Sequence, residues 1–231
     1  MVARHLKKRL ISPLAGLVFL ASCAGLGVFS EAQYEFDAGL ALFNRGSYEE
    51  ATPHFQRAIE IDPDYAEAYL YLGRSFLNLT KWLEAIPPLR TAIRLSPDET
   101  KREALNLLID ALLGAAVHEL ESGDFISSID HFTQVLQRRP KSSRAKGGIV
   151  KAFLGHGKES LFHGNVSGAI DAYTKALKFS PTNVNATLGL AKAFLRNGEL
   201  GKAIKTARDA MRVDPTNREA ESLFRSLLKQ R

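Results

Sequence analysis

A short closing segment occurs five times along this chain and indicates a repeat architecture. Each copy runs through small, apolar and charged residues to a proline and one further polar residue, as in "AIEIDPD" (58–64) and "AMRVDPT" (210–216). The five prolines, which lie 34, 43, 41 and 34 residues apart, are Pro63, Pro97, Pro140, Pro181 and Pro215. Self-similarity at a period of about 20–50 residues is typical of units that stack on their neighbours and share a core.

Small residues recur at fixed places in each unit, where two helices must approach closely. We number each unit so that its closing proline is position 32. Position 8 is Gly39, Gly73, Ala116, Gly157 and Ala191; position 20 is Ala51, Ala85, Ser128, Ala169 and Ala203; position 27 is Ala58, Ala92, Val135, Ala176 and Ala210. Position 24 is bulky in four units (Phe55, Leu89, Phe132 and Tyr173), and Ala207 departs from this. A glycine suited to a left-handed turn separates the two helices in four units, whereas Thr80 stands there in the second.

This pattern resembles the tetratricopeptide repeat, which pairs two helices in about 34 residues. The resemblance implies an all-α superhelical solenoid of about five helix pairs, preceded by a signal or anchor helix. The predicted units are 32–65, 66–99, 100–142, 143–183 and 184–217, and an amphipathic helix over 218–231 is predicted to cap the last one. The longer spacings of 43 and 41 residues predict longer first helices in the third and fourth units, because the extra sequence is periodic throughout.

The N-terminus has the composition of a secretory signal. Four basic residues lie among the first nine, an apolar run follows over 10–21, and no acidic residue precedes Glu31. The sequence Leu20-Ala21-Ser22-Cys23 contains the single cysteine and resembles the bacterial lipobox. This resemblance implies a signal peptide over 1–22, fatty acids such as palmitate on Cys23, and a lipidated tether over 23–31. It also implies the periplasmic face of a bacterial envelope membrane, with the outer membrane favoured because Ala24, and not an aspartate, follows the cysteine.

Other interpretations of the N-terminus stay open at the level of sequence. Residues 10–29 are almost continuously apolar and long enough to remain as an uncleaved membrane anchor. An ordinary signal peptidase could instead cut after Ala24 or Ser30, which are themselves small residues. Cys23 could also have no role within a leader of this composition.

The first helices of the units are predicted to line a concave groove that binds a protein or peptide segment. Positions 5, 9, 12 and 13 should face it, as an apolar stripe with more positive charge toward the C-terminal units. The predicted groove residues are Phe36, Leu40, Phe43, Asn44, Leu70, Arg74, Leu77, Asn78, Leu113, Val117, Leu120, Leu154, Lys158, Leu161, Leu188, Lys192, Leu195 and Arg196. The alternative is that the leucines at positions 5 and 12 mainly pack neighbouring helices.

The sequence gives no support for catalysis, a metal, a cofactor, a nucleic acid or a small-molecule substrate. The segment "GHGKES" (155–160) lacks the first glycine of a phosphate-binding loop, and His156 and His163 have no further ligand at metal-binding spacing. The formal net charge of +6 arises mostly in the leader: of 31 Lys and Arg residues, 27 remain after residue 22, against 25 Asp and Glu. The repeats therefore lack the basic surplus that nucleic-acid binding requires.

These observations favour a non-enzymatic, membrane-anchored scaffold lipoprotein that binds a protein partner, and assembly of an envelope complex is one role that would suit it. The plan is similar to three kinds of bacterial repeat lipoprotein: pilotins of type IV pili, a component of the β-barrel assembly machinery, and scaffolds of cell-wall hydrolases. The pilotin plan is nearest in size and in regularity. The alternatives are an uncleaved, signal-anchored repeat protein of the inner membrane and, less favoured, a cell-wall hydrolase.

Overall fold

The computed structural model describes residues 20–96 and 98–230, and every regular element within them is an α-helix. Side chains at 20–30, 98 and 99 fall outside this description, as do residues 1–19 of the predicted leader. The helices of the described residues are α1 (Leu20–Asn44), α2 (Tyr48–Ile61), α3 (Ala66–Asn78), α4 (Trp82–Leu95), α5 (Asp98–Ser122), α6 (Phe125–Arg138), α7 (Ser143–Phe162), α8 (Val166–Phe179), α9 (Val184–Arg196), α10 (Leu200–Val213) and α11 (Arg218–Leu228).

Consecutive helices are joined by two to four residues, and each packs against the next from α1 to α11. Such short connections make neighbouring helices antiparallel. The first helices α1, α3, α5, α7 and α9 also contact one another in that order, so the helix pairs stack side by side. The predicted all-α repeat solenoid is confirmed.

The small residues predicted at helix contacts are buried there. In the first two units, a Cβ atom at Gly39 would lie 2.9 Å from Cε1 of Phe55, and one at Gly73 would lie 2.5 Å from Cγ of Leu89. These pairs join positions 8 and 24 of one unit. The bulky side chain at position 24 therefore fills the space that the missing side chain leaves, which is how protein interiors reach close packing.

The first helices of the third and fourth units are long and continuous, as the spacings predict. Helix α5 has 25 residues and α7 has 20, compared with 13 each in α3 and α9. Trp82, the first residue of α4, packs on Gly114, and α5 continues for eight residues beyond that glycine. At about 1.5 Å per residue the third unit is displaced along the helix direction by roughly 12 Å relative to the second.

The same displacement recurs between the third and fourth units. Phe125, the first residue of α6, packs on Gly155 of α7, and α7 continues for seven residues to Phe162. The extra sequence thus lengthens two helices and makes two steps in the solenoid.

Both ends of the described chain are helical. Helix α1 is continuous from Leu20, so the backbone of residues 23–31, the predicted tether, belongs to the first helix of the first unit. At the other end, α11 packs on α10 and buries Ala220 and Leu227. It covers the last helix pair in the way that a solenoid cap must.

Candidate protein-binding groove

The residues predicted at position 5 contribute little accessible surface to a groove. Phe36, Leu70, Leu113 and Leu188 are each at most 8% exposed and belong to the hydrophobic cores between helices. Leu154 is half-buried and packs against the same cores. The expectation of an apolar stripe at this position is therefore wrong, because stacking turns these side chains into the contact between adjacent units.

Position 12 is only partly accessible. Its five residues are all half-buried and pack against the cores: Phe43, Leu77, Leu120, Leu161 and Leu195. At position 9, Leu40 and Val117 are likewise half-buried. These side chains contribute the rim of apolar surface that remains visible on the face of the first helices.

The most exposed of the predicted groove residues are polar or charged. Lys158 and Lys192 at position 9 are exposed, as are Asn44, Asn78 and Arg196 at position 13. Apart from Tyr34 of α1 and Phe162 of α7, which are 72% and 84% exposed, the accessible surface of the first helices is mainly polar and lies over a buried apolar layer. A partner that binds this face would therefore contact mainly amide and cationic side chains, since most of the leucines lie beneath them.

Arg74 is used within the protein. Its guanidinium lies 4.9 Å from the ring centroid of Tyr71 and 5.3 Å from that of Phe43. It also forms an ion pair with Glu103 of α5, at 3.1 Å between Nη1 and Oε1. Arg74 thus connects α1, α3 and α5 through a cation–π arrangement and one ion pair. Asn78 donates from its side-chain amide to the carbonyl of Arg74 at 2.9 Å.

Arg196 also has an internal partner. Its Nη1 donates a 2.5 Å hydrogen bond to the carbonyl oxygen of Leu161, in the last turn of α7. The last carbonyl groups of a helix lack partners inside the helix and carry partial negative charge, so a cation is favourable there. This arginine fixes α9 against the end of α7.

The C-terminal units form a cleft of about 440 Å³. It brings together four predicted groove residues: Lys158 and Leu161 of α7, and Leu188 and Lys192 of α9. Four residues that the sequence did not assign to the groove complete the lining: Tyr173, Asn185, Gly189 and Glu219.

Tyr173 forms part of the lining because two glycines make room for its ring. A Cβ atom at Gly157 would lie 2.8 Å from Cε1 of Tyr173, and one at Gly189 would clash with the same ring. Burial raises the pKa of the Tyr173 phenol, so the hydroxyl, which is protonated at neutral pH in any tyrosine, loses its proton only at a higher pH than usual. The sequence predicted a packing role at this position, in agreement with the 2% exposure of Tyr173, but it did not predict that the ring also borders the cleft.

Glu219 comes from the capping helix α11. Its Oε1 lies 2.6 Å from Nζ of Lys192, and both side chains are about half-exposed. No sequence signal links the two residues, which lie 27 positions apart, Lys192 in α9 and Glu219 in the first turn of α11. The cleft thus already holds one carboxylate against one of its two lysines.

Ionisable side chains elsewhere in the described residues mostly form pairs, and Arg57 contacts two carboxylates, those of Glu31 and Glu60. His54 pairs with Glu35 at 2.8 Å and His131 with Glu119 at 2.7 Å, both histidines standing at position 23 of their unit. Over the described residues there is no group of three His, Cys, Asp or Glu side chains that could hold a metal ion. Among the helices of residues 20–96 and 98–230, none is long and apolar enough to cross a membrane.

Cys23, the predicted lipidation site, lies in the helical backbone of α1, and its side chain belongs to the part that is not described. Its lipidation therefore stays a prediction from the sequence.

Two family models match the chain. One, described as TPR repeat, matches residues 39–79, and the other, described as Tetratricopeptide repeat, matches residues 163–228. The first region runs from α1 into the turn after α3. The second runs from the turn after α7 through the capping helix.

Curated proteins match over about half of the chain. DnaJ homolog subfamily C member 3 of Gallus gallus is 28% identical over 123 residues, which is 53% of this chain and 22% of the relative. Sperm-associated antigen 1 of Rattus norvegicus is 29% identical over 115 residues, which is 50% of this chain and 12% of the relative. The chain thus spans less than a quarter of the length of either protein.

Solved structures share the fold. A TPR repeats protein from Bacteroides fragilis superposes with a TM-score of 0.59 at 14% identity, covering 87% of this chain and 99% of that chain. Pseudomonas aeruginosa pilF superposes with a TM-score of 0.39 at 19% identity, covering 88% of this chain and 86% of that chain. The first similarity supports the architecture, and the second is too low to support an inference about function.

Proposed function

From the tetratricopeptide repeats that this chain contains, we propose that it is a lipid-anchored, non-enzymatic scaffold of a bacterial cell envelope. The repeats form a scaffold for protein–protein interactions. In this proposal a protein partner binds along the exposed surface of the first helices, and the N-terminus holds the complex at a membrane. Assembly of an envelope complex is the role that such an arrangement would serve.

The observation that carries the proposal is the cleft between α7 and α9. It lies on the face of the first helices, it combines apolar and charged side chains, and its volume of about 440 Å³ suits a few side chains of a partner. A groove with apolar surface beneath polar groups is suited to an extended peptide segment, since the polar groups fix orientation and the apolar surface supplies affinity.

Site-specific photocrosslinking tests the binding face. A benzophenone amino acid replaces Lys158, which lines the cleft, or Lys178, which is exposed on the second helix α8. We expect irradiation of living cells to give a discrete adduct with the probe at residue 158 and none with the probe at residue 178. Identical adducts from both sites, or none from either, would contradict binding through the first helices.

The membrane anchor is supported by the basic flank, the apolar run over 10–21 and the residues Leu20-Ala21-Ser22-Cys23. Several acyl chains on one residue hold a protein at a bilayer far better than a single chain does. An inhibitor of lipoprotein signal peptidase should cause the precursor to accumulate, and Cys23→Ser should abolish labelling with palmitate. A chain that keeps its leader, carries no lipid and is insensitive to the inhibitor would instead be the signal-anchored alternative.

A further inference from the structure

Formal charge is divided unequally between the two halves of the repeat region. Residues 32–142, which hold the first three units, contain 11 Lys and Arg against 17 Asp and Glu. Residues 143–231, which hold the last two units and the cap, contain 16 Lys and Arg against seven Asp and Glu. A surplus of one sign over a whole surface attracts partners of the opposite sign and speeds their encounter.

The cleft of the C-terminal units lies within this basic half. Lys158 and Lys192 occupy position 9 of adjacent units, and both line the cleft. Packed helices lie about 8–10 Å apart, so two ammonium groups on neighbouring helices can reach the same carboxylate. Tyr173 and Asn185 line the same space and add side chains that can donate hydrogen bonds.

Glu219 shows that this cleft can hold a carboxylate group. Its carboxylate lies 2.6 Å from Lys192, but both side chains are about half-exposed. An exposed ion pair of this kind contributes little net stability, because solvent screens the attraction. A carboxylate from another chain could therefore replace Glu219 at small cost and pair with Lys158 as well.

We infer that the cleft between α7 and α9 binds an acidic peptide segment, with a partner carboxylate placed between Lys158 and Lys192 in exchange for Glu219. This inference rests on the proposed function and specifies the partner's chemistry at the same face. The volume of about 440 Å³ fits one or two side chains of an extended segment and not the surface of a folded domain.

Fluorescence anisotropy with the full chain tests this inference. The probes are a short fluorescein-labelled peptide in which Glu and Asp alternate with Leu and Ala, and its counterpart with Gln and Asn. We expect the acidic peptide to bind roughly tenfold more tightly than the neutral one at low salt, and this difference to shrink as salt is added.

Variants assign that binding to the cleft. Lys158→Glu/Lys192→Glu should weaken binding of the acidic peptide about tenfold or more, whereas Glu219→Gln should strengthen it roughly two- to fivefold. Lys178→Glu/Lys205→Glu is the matched control: it changes the net charge equally, at exposed lysines of the second helices α8 and α10. An equal loss of affinity in both double variants would overturn the assignment to the cleft.

Two further experiments test other possible occupants of the cleft, an anionic membrane and a second copy of the chain. Flotation with vesicles of phosphatidylethanolamine and phosphatidylglycerol measures attraction to an anionic membrane, and sedimentation velocity measures association of two copies through their oppositely charged halves. If the cleft variant abolishes vesicle binding or self-association while the acidic peptide fails to bind, the inference is wrong. If the probe at residue 158 still gives an adduct but the acidic and neutral peptides bind equally, the proposed function stands and the inference of an acidic partner is wrong.

Discussion

The indole of Trp82 lies directly against Gly114 and fills the space that a side chain at residue 114 would need. Trp82 begins α4, and Gly114 lies about two-thirds of the way along α5. This contact sets where the long helix crosses the preceding unit and therefore fixes the size of the first step in the solenoid.

We predict that Gly114→Ala destabilises the protein by about 1–3 kcal/mol, because the added methyl group must displace a packed indole ring. Gly147→Ala is the control, since a Cβ atom at Gly147 would meet no atom within 4 Å. That substitution lies in α7 and should stabilise the protein by about 0.5–1 kcal/mol through helix propensity. Urea unfolding followed by circular dichroism measures both, and equal effects would contradict the packing described at Trp82.

Thr80 adopts a backbone conformation that favours glycine. Its φ is +55°, and the equivalent turns of the other units have Gly46, Gly123, Gly164 and Gly198 at φ between +78° and +87°. A β-branched residue in the left-handed region is strained by contact between its Cβ and the backbone. We predict that Thr80→Gly raises the free energy of unfolding by about 1 kcal/mol.

Thr80→Ala separates strain from side-chain effects at this turn. Alanine keeps the Cβ atom and therefore most of the strain, so this variant should gain much less than Thr80→Gly. If alanine and glycine stabilise equally, the gain has a source other than backbone conformation. Thermal unfolding of the three proteins under one set of conditions makes the comparison.

Arg74 should act as a structural residue and not as a partner contact. Arg74→Ala removes the cation–π contacts to Phe43 and Tyr71 and the ion pair to Glu103, and we predict a loss of about 1–2 kcal/mol in stability. Lys158→Ala, at the same repeat position but exposed, should change stability by less than about 0.5 kcal/mol. Chemical denaturation measures the free energy of unfolding of both variants. If Arg74→Ala leaves that free energy unchanged, Arg74 has no structural role and remains a candidate contact for the partner.

Asp124 gives α6 a pH-dependent N-terminal cap. Hydrogen bonds from the side chain and backbone of Ser127 lower the pKa of the Asp124 carboxyl below its ordinary value of 3.8. A lowered pKa in the folded state means that the stabilising contribution is present above the unfolded-state pKa and is lost as pH falls through the folded-state pKa.

Asp124→Asn tests this cap, because asparagine can accept the same hydrogen bond without a charge. We predict that the wild-type chain has the higher melting temperature at neutral pH and that the difference shrinks as the pH falls below 3.8. Differential scanning calorimetry across this range measures the effect. A difference that is independent of pH would show that the ionised carboxylate has no special role at this cap.

Much of the fold could be predicted from the order of residues alone. The period between closing prolines predicted the helix pairs, and the longer periods predicted the long helices α5 and α7. Small residues such as Gly39 and Gly73 indicated the close helix contacts, because any side chain there would overlap Phe55 or Leu89. The displacement of the third and fourth units was not predicted, since it depends on where Trp82 and Phe125 meet the long helices.

The groove could be predicted less well, and the reason is physical. Phe36, Leu70 and Leu113 lie on the expected side of the first helices, but neighbouring helices cover them. One helix face serves both packing and binding, so helical periodicity cannot tell a buried leucine from an accessible one.

The order of amino acids by itself determined the helix pairs, the extra length of α5 and α7 and the positions where side chains must be small, because those properties depend on local geometry and spacing. Tertiary structure alone decided which side chains remain accessible and which charges meet. Lys192 and Glu219 are 27 residues apart, and only the stacking of α11 beyond α9 brings their charges within 2.6 Å. Burial and ion pairing depend on which helices lie next to each other, and the stacking of the units decides that.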